Sequence, residues 1–249
     1  LLSVNAEILK GERKRMNGSD LIAPSLIVAV ISYLLGSLSF SIIFTKFFEK
    51  KDIRTMGSGN AGATNVLRSV GPKAAICTFI FDFLKGVASV LIGKLIFSMM
   101  LPSDALLPEM VQYGTYIAGF SCVFGHMFPI YFGFRGGKGI LTTAAIIALI
   151  DWRVFLVVII VFLATFVISK IVSLSSILAA IMYPVGTFLI NYFFEYKTGN
   201  MPFRFVLVTS VATLCMAAVI VIRHHGNISR ILNGTEKKLS IKKHDHNNV

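Results

Sequence analysis

Four short polar segments carry side chains whose types and spacing suit the handling of a phosphorylated small molecule. The first is MGSGNAGATNVLRSVG, residues 56–71. Gly57, Gly59 and Gly62 allow positive φ and close backbone approach to a ligand. Ser58, Asn60, Thr64 and Asn65 add short hydrogen-bonding groups, and Arg68 adds a charged fork. Together they suit a cradle of backbone amides around a phosphate or carboxyl group. It is not a Walker loop, because no Gly-Lys-Ser/Thr follows. A flexible turn is the plain alternative, and it leaves the two Asn around the ATN core unexplained.

The third segment along the chain, GHMFPIYFGFRGGKGILTT at 125–143, sets Arg135 and Lys138 on either side of Gly136 and Gly137, with Gly139 opening an apolar helix. Glycines leading into a helix N-terminus beside two cations match a phosphate site in geometry and charge. Membrane-flanking charge would account for the cations but not the glycines. The second segment, DFLKG, places Asp82 and Lys85 three apart on one helix face, as a docking ion pair or as part of a cavity. His126, in an apolar context, reads equally as structural or catalytic. The fourth segment, RHHGNISRILNGTEKK at 223–238, spaces His224, Asn227 and Arg230 at three-residue intervals, with Glu236 after a glycine. A lipid-binding basic tail explains Lys237, Lys238, Lys242 and Lys243, but not His224, Asn227 and Glu236.

The elements that must position these segments are membrane helices. The chain has 249 residues, 55% hydrophobic and 14% charged, with a mean hydropathy of +0.76. A soluble domain carries about 25% charged residues. A bilayer core of about 30 Å needs about 20 apolar residues in a helix. The predicted spans are seven: 22–45, 74–100, 112–132, a short one at 139–150, 153–171, 173–194 and 202–222. Their continuous apolarity lacks the alternation of barrel strands. The predicted fold is therefore all-α and polytopic. It has a polar N-terminal tail (1–20), one transmembrane domain (21–236) and a basic C-terminal tail (237–249).

With the C-terminus inside, sixteen of the 24 Lys and Arg face the cytoplasm, as the positive-inside rule asks. The acidic 101–111 loop, with Asp104 and Glu109, then falls outside. The N-terminal Lys10, Arg13, Lys14 and Arg15 disagree, which keeps a six-span topology open. On this topology the segments at 50–73, 133–139 and 223–249 collect at the cytoplasmic face. The formal charge of +12 then reflects loops beside anionic lipid, with no soluble domain left to bind nucleic acid. Cys77, Cys122 and Cys215 sit in apolar stretches and read as buried hydrophobes, not as disulfides or metal ligands. The chain starts at Leu1, and no cleavable signal peptide is expected.

Taken together, GSGNAGATNVLR, GHMFPIYFGFRGGKG and RHHGNISRILNGTE resemble the three signature motifs of the PlsY family, the acyl-phosphate-dependent glycerol-3-phosphate acyltransferases. The resemblance runs from YLLGS at 33–37 to GTE at 234–236. It departs at Ser39, where many members have Pro, and at Ile140 and Leu141, which replace a common Val-Ala. The resemblance implies a bacterial plasma-membrane enzyme, a small seven-helix bundle with its active site at the cytoplasmic face. By resemblance, Ser58 and Arg68 belong to the catalytic loop, and Lys138 with its glycines to the glycerol-phosphate site. His224, Asn227 and Glu236 match the third motif, tied to catalysis and site integrity.

The expected reaction moves an acyl group from acyl phosphate to the 1-hydroxyl of glycerol 3-phosphate, giving lysophosphatidate and phosphate for phospholipid synthesis. Acyl phosphate is a mixed anhydride with a good leaving group, so no covalent intermediate is expected; with no carboxylate cluster in the sequence near the three loops, no metal or cofactor is expected either. Catalytic roles fall to Ser58, Arg68, His224 and Asn227. Substrate-binding roles fall to Gly57, Gly59, Asn60, Thr64, Asn65, Lys85, His126, Arg135, Gly136, Gly137, Lys138, Gly139 and Glu236, with Asp82 and Arg230 in support. The proton acceptor is either His224 or a substrate phosphate. An acyl-CoA or acyl-carrier enzyme would carry His-x₄-Asp, which is missing here. A transporter or channel for an organic phosphate is the alternative of a different class, though no internal repeat is visible. A lipid-binding scaffold leaves the Gly-Asn motifs unexplained.

Overall fold

The structure, a computed structural model, describes residues 18–101 and 108–239. The N-terminal residues Lys10 to Arg15, Asp104, Lys242 and Lys243 lie outside the described residues. Every regular element among the described residues is helical. The chain divides into two compact units, Leu1–Gly137 with Leu141–Ile146, and Lys138–Ile140 with Ile147–Val249.

The first unit opens with α1 (Gly18–Gly36) and α2 (Phe40–Glu49). The sequence predicts one span over 22–45, but the helix breaks at Ser37–Ser39. Ser37 Oγ turns back to donate to the Tyr33 carbonyl at 2.8 Å. A helix end leaves carbonyls without intrahelical donors, and Lys85 Nζ takes two of them, Gly36 O at 3.1 Å and Leu38 O at 2.8 Å. Ser39 is buried and bonds Ser41 at 3.2 Å.

A 3₁₀ turn (Ile53–Thr55) and α3 (Ala63–Ser69) follow, then α4 (Pro72–Met100), whose first-turn proline lacks only an N–H that would be unpaired anyway. Ile53, Ala61 and Val66 are fully buried with Ile42, Ala74 and Ala75, and Met56 and Phe132 pack on them. This small core fixes the first polar segment against α4. Next come α5 (Pro108–Met127) and α6 (Ile140–Ile150). Helix α1 packs on α4 and α5, and α4 also packs on α5, α2 and α3. A Cβ on Gly36 would meet Cys122 O at 2.1 Å, and one on Gly125 would meet Tyr33 O at 2.2 Å. Small residues here let the α1 and α5 backbones touch, as membrane helix pairs require. Glu109, expected in an external loop, lies in the first turn of α5 and is buried.

The second unit contains α7 (Trp152–Ser169), α8 (Val172–Ile190), a π-turn (Asn191–Tyr196), α9 (Phe203–Arg223) and α10 (His225–Leu232). The π-turn is tied to α9 by Asn191 Nδ2 donating to Thr209 Oγ1 at 2.9 Å. Helix α8 packs on α7, α9 and α10. Cys215, expected to be buried, is exposed on α9.

Five stretches among the described residues are long and apolar enough to cross a bilayer: Asp20–Glu49, Pro72–Met100, Trp152–Ser169, Val172–Tyr196 and Phe203–Arg223. The predicted span at 112–132 appears as the 20-residue α5, which carries three glycines. Helix α6 has 11 residues and at about 1.5 Å per residue reaches only about half the hydrocarbon core.

Candidate active site

In the first unit the polar segment at 56–71 is organised by Asn65, buried on α3. Its Nδ2 donates to Met56 O at 3.0 Å and Asn60 O at 3.1 Å, with Ile53 O at 3.4 Å. Its Oδ1 accepts the Ser58 amide at 3.0 Å and Ser69 Oγ at 3.4 Å. A single amide thus holds the loop by donor and acceptor together. Gly57 and Gly59 have φ of +56° and +71°, which bends the chain around that amide. Ser58 and Arg68 are exposed, while Asn60 and Thr64 are half-buried.

The loop is joined to the third segment. Arg54 grips Asp52 with both ends of its fork, Nε to Oδ1 at 3.0 Å and Nη2 to Oδ2 at 2.8 Å. Its Nη1 donates across to Phe132 O at 2.6 Å and lies 3.4 Å from Arg135 O. The Arg54 guanidinium holds the Asp52 carboxyl below the usual carboxylate range. A Cβ on Gly137 would strike His126 Nε2 at 2.3 Å and Ala61 O at 2.4 Å. The glycine is therefore the spacer that lets the two segments touch. Arg135 is exposed beside them.

Beneath this pair of loops lies a buried ionic cluster. Lys85 Nζ is 2.7 Å from Asp82 Oδ1 and 2.9 Å from His126 Nδ1, in addition to its two helix-end carbonyls. His126 Nδ1 is 3.6 Å from the same Asp82 oxygen. An ammonium only donates, so His126 accepts at Nδ1 and carries its proton on Nε2, toward Gly137. Lys85 and His126 were expected among the substrate-binding groups. Both are buried within this cluster.

The second unit holds Lys138 with the fourth segment. Lys138 Nζ donates to Asn227 Oδ1. Asn227 Nδ2 and Ser173 Oγ each donate to Glu236 Oε1 at 2.6 Å, and Arg230 Nε donates to Oε2 at 2.6 Å. Burial would raise the Glu236 carboxyl, but these donors and the Arg230 charge outweigh it and hold the carboxyl below its ordinary value. Burial, with Arg230 and Arg223 nearby, pulls Lys138 down to about 8 despite the opposing Glu236 charge. Gly139 has φ of +77° and caps α6.

His224 sits at the break between α9 and α10, buried, with Nδ1 2.8 Å from Ile220 O. A carbonyl only accepts, so Nδ1 carries the proton and Nε2 keeps its lone pair. Burial is the main force pushing His224 down to about 4, with Lys138 and Arg223 adding to it. One helix stops at Arg223 and the next starts at His225, so His224 lies outside the short helix that carries Asn227.

Within the first unit the structure brings together the first segment, the third segment as far as Gly137, and the Asp82–Lys85 pair. Within the second it brings Lys138 to Asn227, Arg230 and Glu236. Two contributors carry no strong mark in the sequence. Ser173 is one of several serines in an apolar helix. Asp52–Arg54 precede the first glycine segment closely, and that proximity is their one signal.

The comparisons agree with this chemistry. Residues 26–234 match the model of the family described as glycerol-3-phosphate acyltransferase. A glycerol-3-phosphate acyltransferase of Shouchella clausii is 40% identical over 88% of this chain and 98% of its own length. One from Clostridioides difficile is 37% identical over 88% of this chain and 97% of its own. Among solved structures, the glycerol 3-phosphate form of PlsY (YgiH), an integral membrane glycerol 3-phosphate acyltransferase, superposes with a TM-score of 0.68. It is 32% identical and covers 87% of this chain and 96% of that one. Its lysophosphatidic acid form gives a TM-score of 0.67 at 31% identity. These relatives are acyltransferases, which disfavours the organic-phosphate transporter. With five membrane-length apolar stretches among the described residues and this match over most of its length, the chain is a multi-pass membrane protein and belongs to the glycerol-3-phosphate acyltransferase family.

Proposed function

We propose that this protein transfers an acyl group from acyl phosphate to the 1-hydroxyl of sn-glycerol 3-phosphate, releasing 1-acyl-sn-glycerol 3-phosphate and phosphate. The observation that carries the reading is the half-buried Lys138, held by Asn227 and, through it, by a Glu236 that also receives Ser173 and Arg230. Burial lowers Lys138 to about 8, so at neutral pH it still carries the charge that pairs with an arriving phosphate.

The substrate hydroxyl attacks the acyl carbonyl carbon, the carbonyl oxygen takes up charge, and the carbon–oxygen bond to phosphate then breaks. Ser58, Arg68 and Asn227 orient the reacting groups and offset the developing charge. Gly57, Gly59, Asn60, Thr64 and Asn65 shape the first loop, and Arg135 and Lys138 bind phosphate, with Gly136, Gly137 and Gly139 giving the backbone between and after them its course. His224 offers a bare Nε2, but at about 4 it is a weaker base than a phosphate whose second ionisation lies at about 6. The hydroxyl proton therefore goes to a substrate phosphate, and His224 orients the glycerol by accepting a hydrogen bond at Nε2 from the neighbouring 2-hydroxyl. Lys85, His126 and Asp82 support the loops from beneath.

The catalytic domain runs over 21–236, in keeping with the family match. Seven spans, with a cytoplasmic C-terminus and the reaction at the cytoplasmic face of a bacterial plasma membrane, fit the distribution of Lys and Arg. Purified protein in lipid nanodiscs, given acyl phosphate and glycerol 3-phosphate, should release lysophosphatidate and phosphate in equal amounts. Turnover with acyl-CoA but not acyl phosphate would reject the donor. Uptake of intact glycerol 3-phosphate into vesicles without acylation would reject the reaction.

A further inference from the structure

The segment carrying Arg135, Gly136 and Gly137 leaves a turn with an unusual backbone. Gly133 and Phe134 are both left-handed, with φ of +65° and +58°. A large side chain resists that conformation, and Phe134 is 55% exposed, so packing does little to compel it. Backbone hydrogen bonds tie the turn to the residues before it: Phe132 N and Phe134 N to Pro129 O at 3.1 and 2.9 Å, Gly136 N to Met127 O at 3.2 Å and Gly137 N to His126 O at 3.2 Å. A side-chain anchor at the turn itself comes from far along the chain. Arg54 Nη1 meets the Phe132 and Arg135 carbonyls at 2.6 and 3.4 Å, one on each side of the strained pair.

Asp52 makes that anchor stiff. Its carboxylate takes the Nε and Nη2 face of the guanidinium and also accepts the Arg54 amide at 3.0 Å. The side chain is thereby locked at its base as well as its tip. Planar, doubly held guanidinium is hard to replace with a lysine, whose single ammonium could reach Asp52 or the turn but not both.

We propose that Arg54, locked by Asp52, is a positioning residue for substrate phosphate. It props the left-handed Gly133–Phe134 turn so that Arg135, exposed beside it, keeps a binding geometry. Arg54 itself does not touch the substrate. The inference rests on the reading of this chain as a glycerol 3-phosphate acyltransferase.

The test compares kcat and KM for glycerol 3-phosphate, at saturating acyl phosphate in nanodiscs, for the parent, Arg54→Ala, Arg54→Lys and Asp52→Asn. Losing a charge-assisted hydrogen bond should raise KM in Arg54→Ala by about tenfold or more. The kcat should stay within about threefold, because groups touching the reacting carbonyl are untouched. Arg54→Lys should recover only part of the loss, and Asp52→Asn should raise KM less than Arg54→Ala. Asparagine adopts the left-handed conformation more readily than phenylalanine. Adding Phe134→Asn to Arg54→Ala should therefore lower KM again, a rescue that a general loss of stability would not show.

An Arg54→Ala enzyme with KM within about twofold of the parent, or with loss confined to kcat, would overturn the inference. So would a double variant no better than Arg54→Ala alone. Should Arg54→Ala fail to fold, Asp52→Asn and Arg54→Lys carry the same KM comparison. A parent without acyl transfer would instead reject the function on which the inference rests.

Discussion

Gly57 and Asn65 are fitted to each other: a Cβ on Gly57 would lie 2.3 Å from Asn65 Oδ1, the atom that accepts the Ser58 amide. The loop that presents Ser58 thus depends on the missing side chain at one position and the amide at another. Gly57→Ala should lose most activity, because it combines this overlap with a left-handed φ costing about 1–2 kcal/mol for a residue with a Cβ. Asn65→Asp is the sharper probe. It keeps the acceptor for Ser58 but turns the donor facing the Met56 and Asn60 carbonyls into another acceptor. It should destabilise by about 1–3 kcal/mol, read as a lowered thermal midpoint in nanodiscs, and an unchanged midpoint would contradict the hub role.

Lys138 sets an alkaline limit on substrate binding. Below about 8 it is protonated and can pair with a phosphate; above that value it loses the charge. KM for glycerol 3-phosphate should accordingly climb as pH passes about 8, with kcat less affected. Lys138→Arg remains charged there and should remove the alkaline rise while raising KM at pH 7. Lys138→Met should cut kcat/KM by roughly 100-fold or more at every pH. A flat KM from pH 7 to 10 in the parent would count against Lys138 as the phosphate partner.

Proton transfer to phosphate makes a specific demand on His224. If substrate phosphate accepts the proton, the acid limb of kcat lies near about 6 and persists in His224→Ala, with kcat reduced by about 10–100-fold through lost orientation. If His224 were the base, the limb would lie near its own value of about 4 and vanish with the side chain. The pH dependence of kcat in the two proteins decides.

The Asp82–Lys85 pair has side chains only 3% and 1% exposed. Removing one charge from such a pair leaves the other buried and costs about 3–5 kcal/mol. Lys85→Met should also strip donors from Gly36 O and Leu38 O and release the end of α1. It should yield little folded protein. Asp82→Asn with Lys85→Met should lose less than the sum of the two single changes, measured as a thermal-shift double-mutant cycle.

The sequence by itself determined the membrane class, the helical architecture and the segments that bear chemistry. Apolar runs of membrane length and Gly-Asn-Arg clusters are local signals, and they need no knowledge of neighbours. The family resemblance, carried by three linear motifs, was equally legible. The break at Ser37–Ser39 was not, because an apolar stretch continues through it and the compensating donor, Lys85, lies 49 and 47 residues from the carbonyls it serves. For the same reason no pattern announced that Asn65 spends its amide on its own loop, that Ser173 reaches Glu236, or that Arg54 spans 78 residues to Phe132. Residue types say which groups can donate, accept or carry charge. Which partner each one finds is decided by packing, since burial leaves every polar group in want of whatever complementary atom the fold brings within reach.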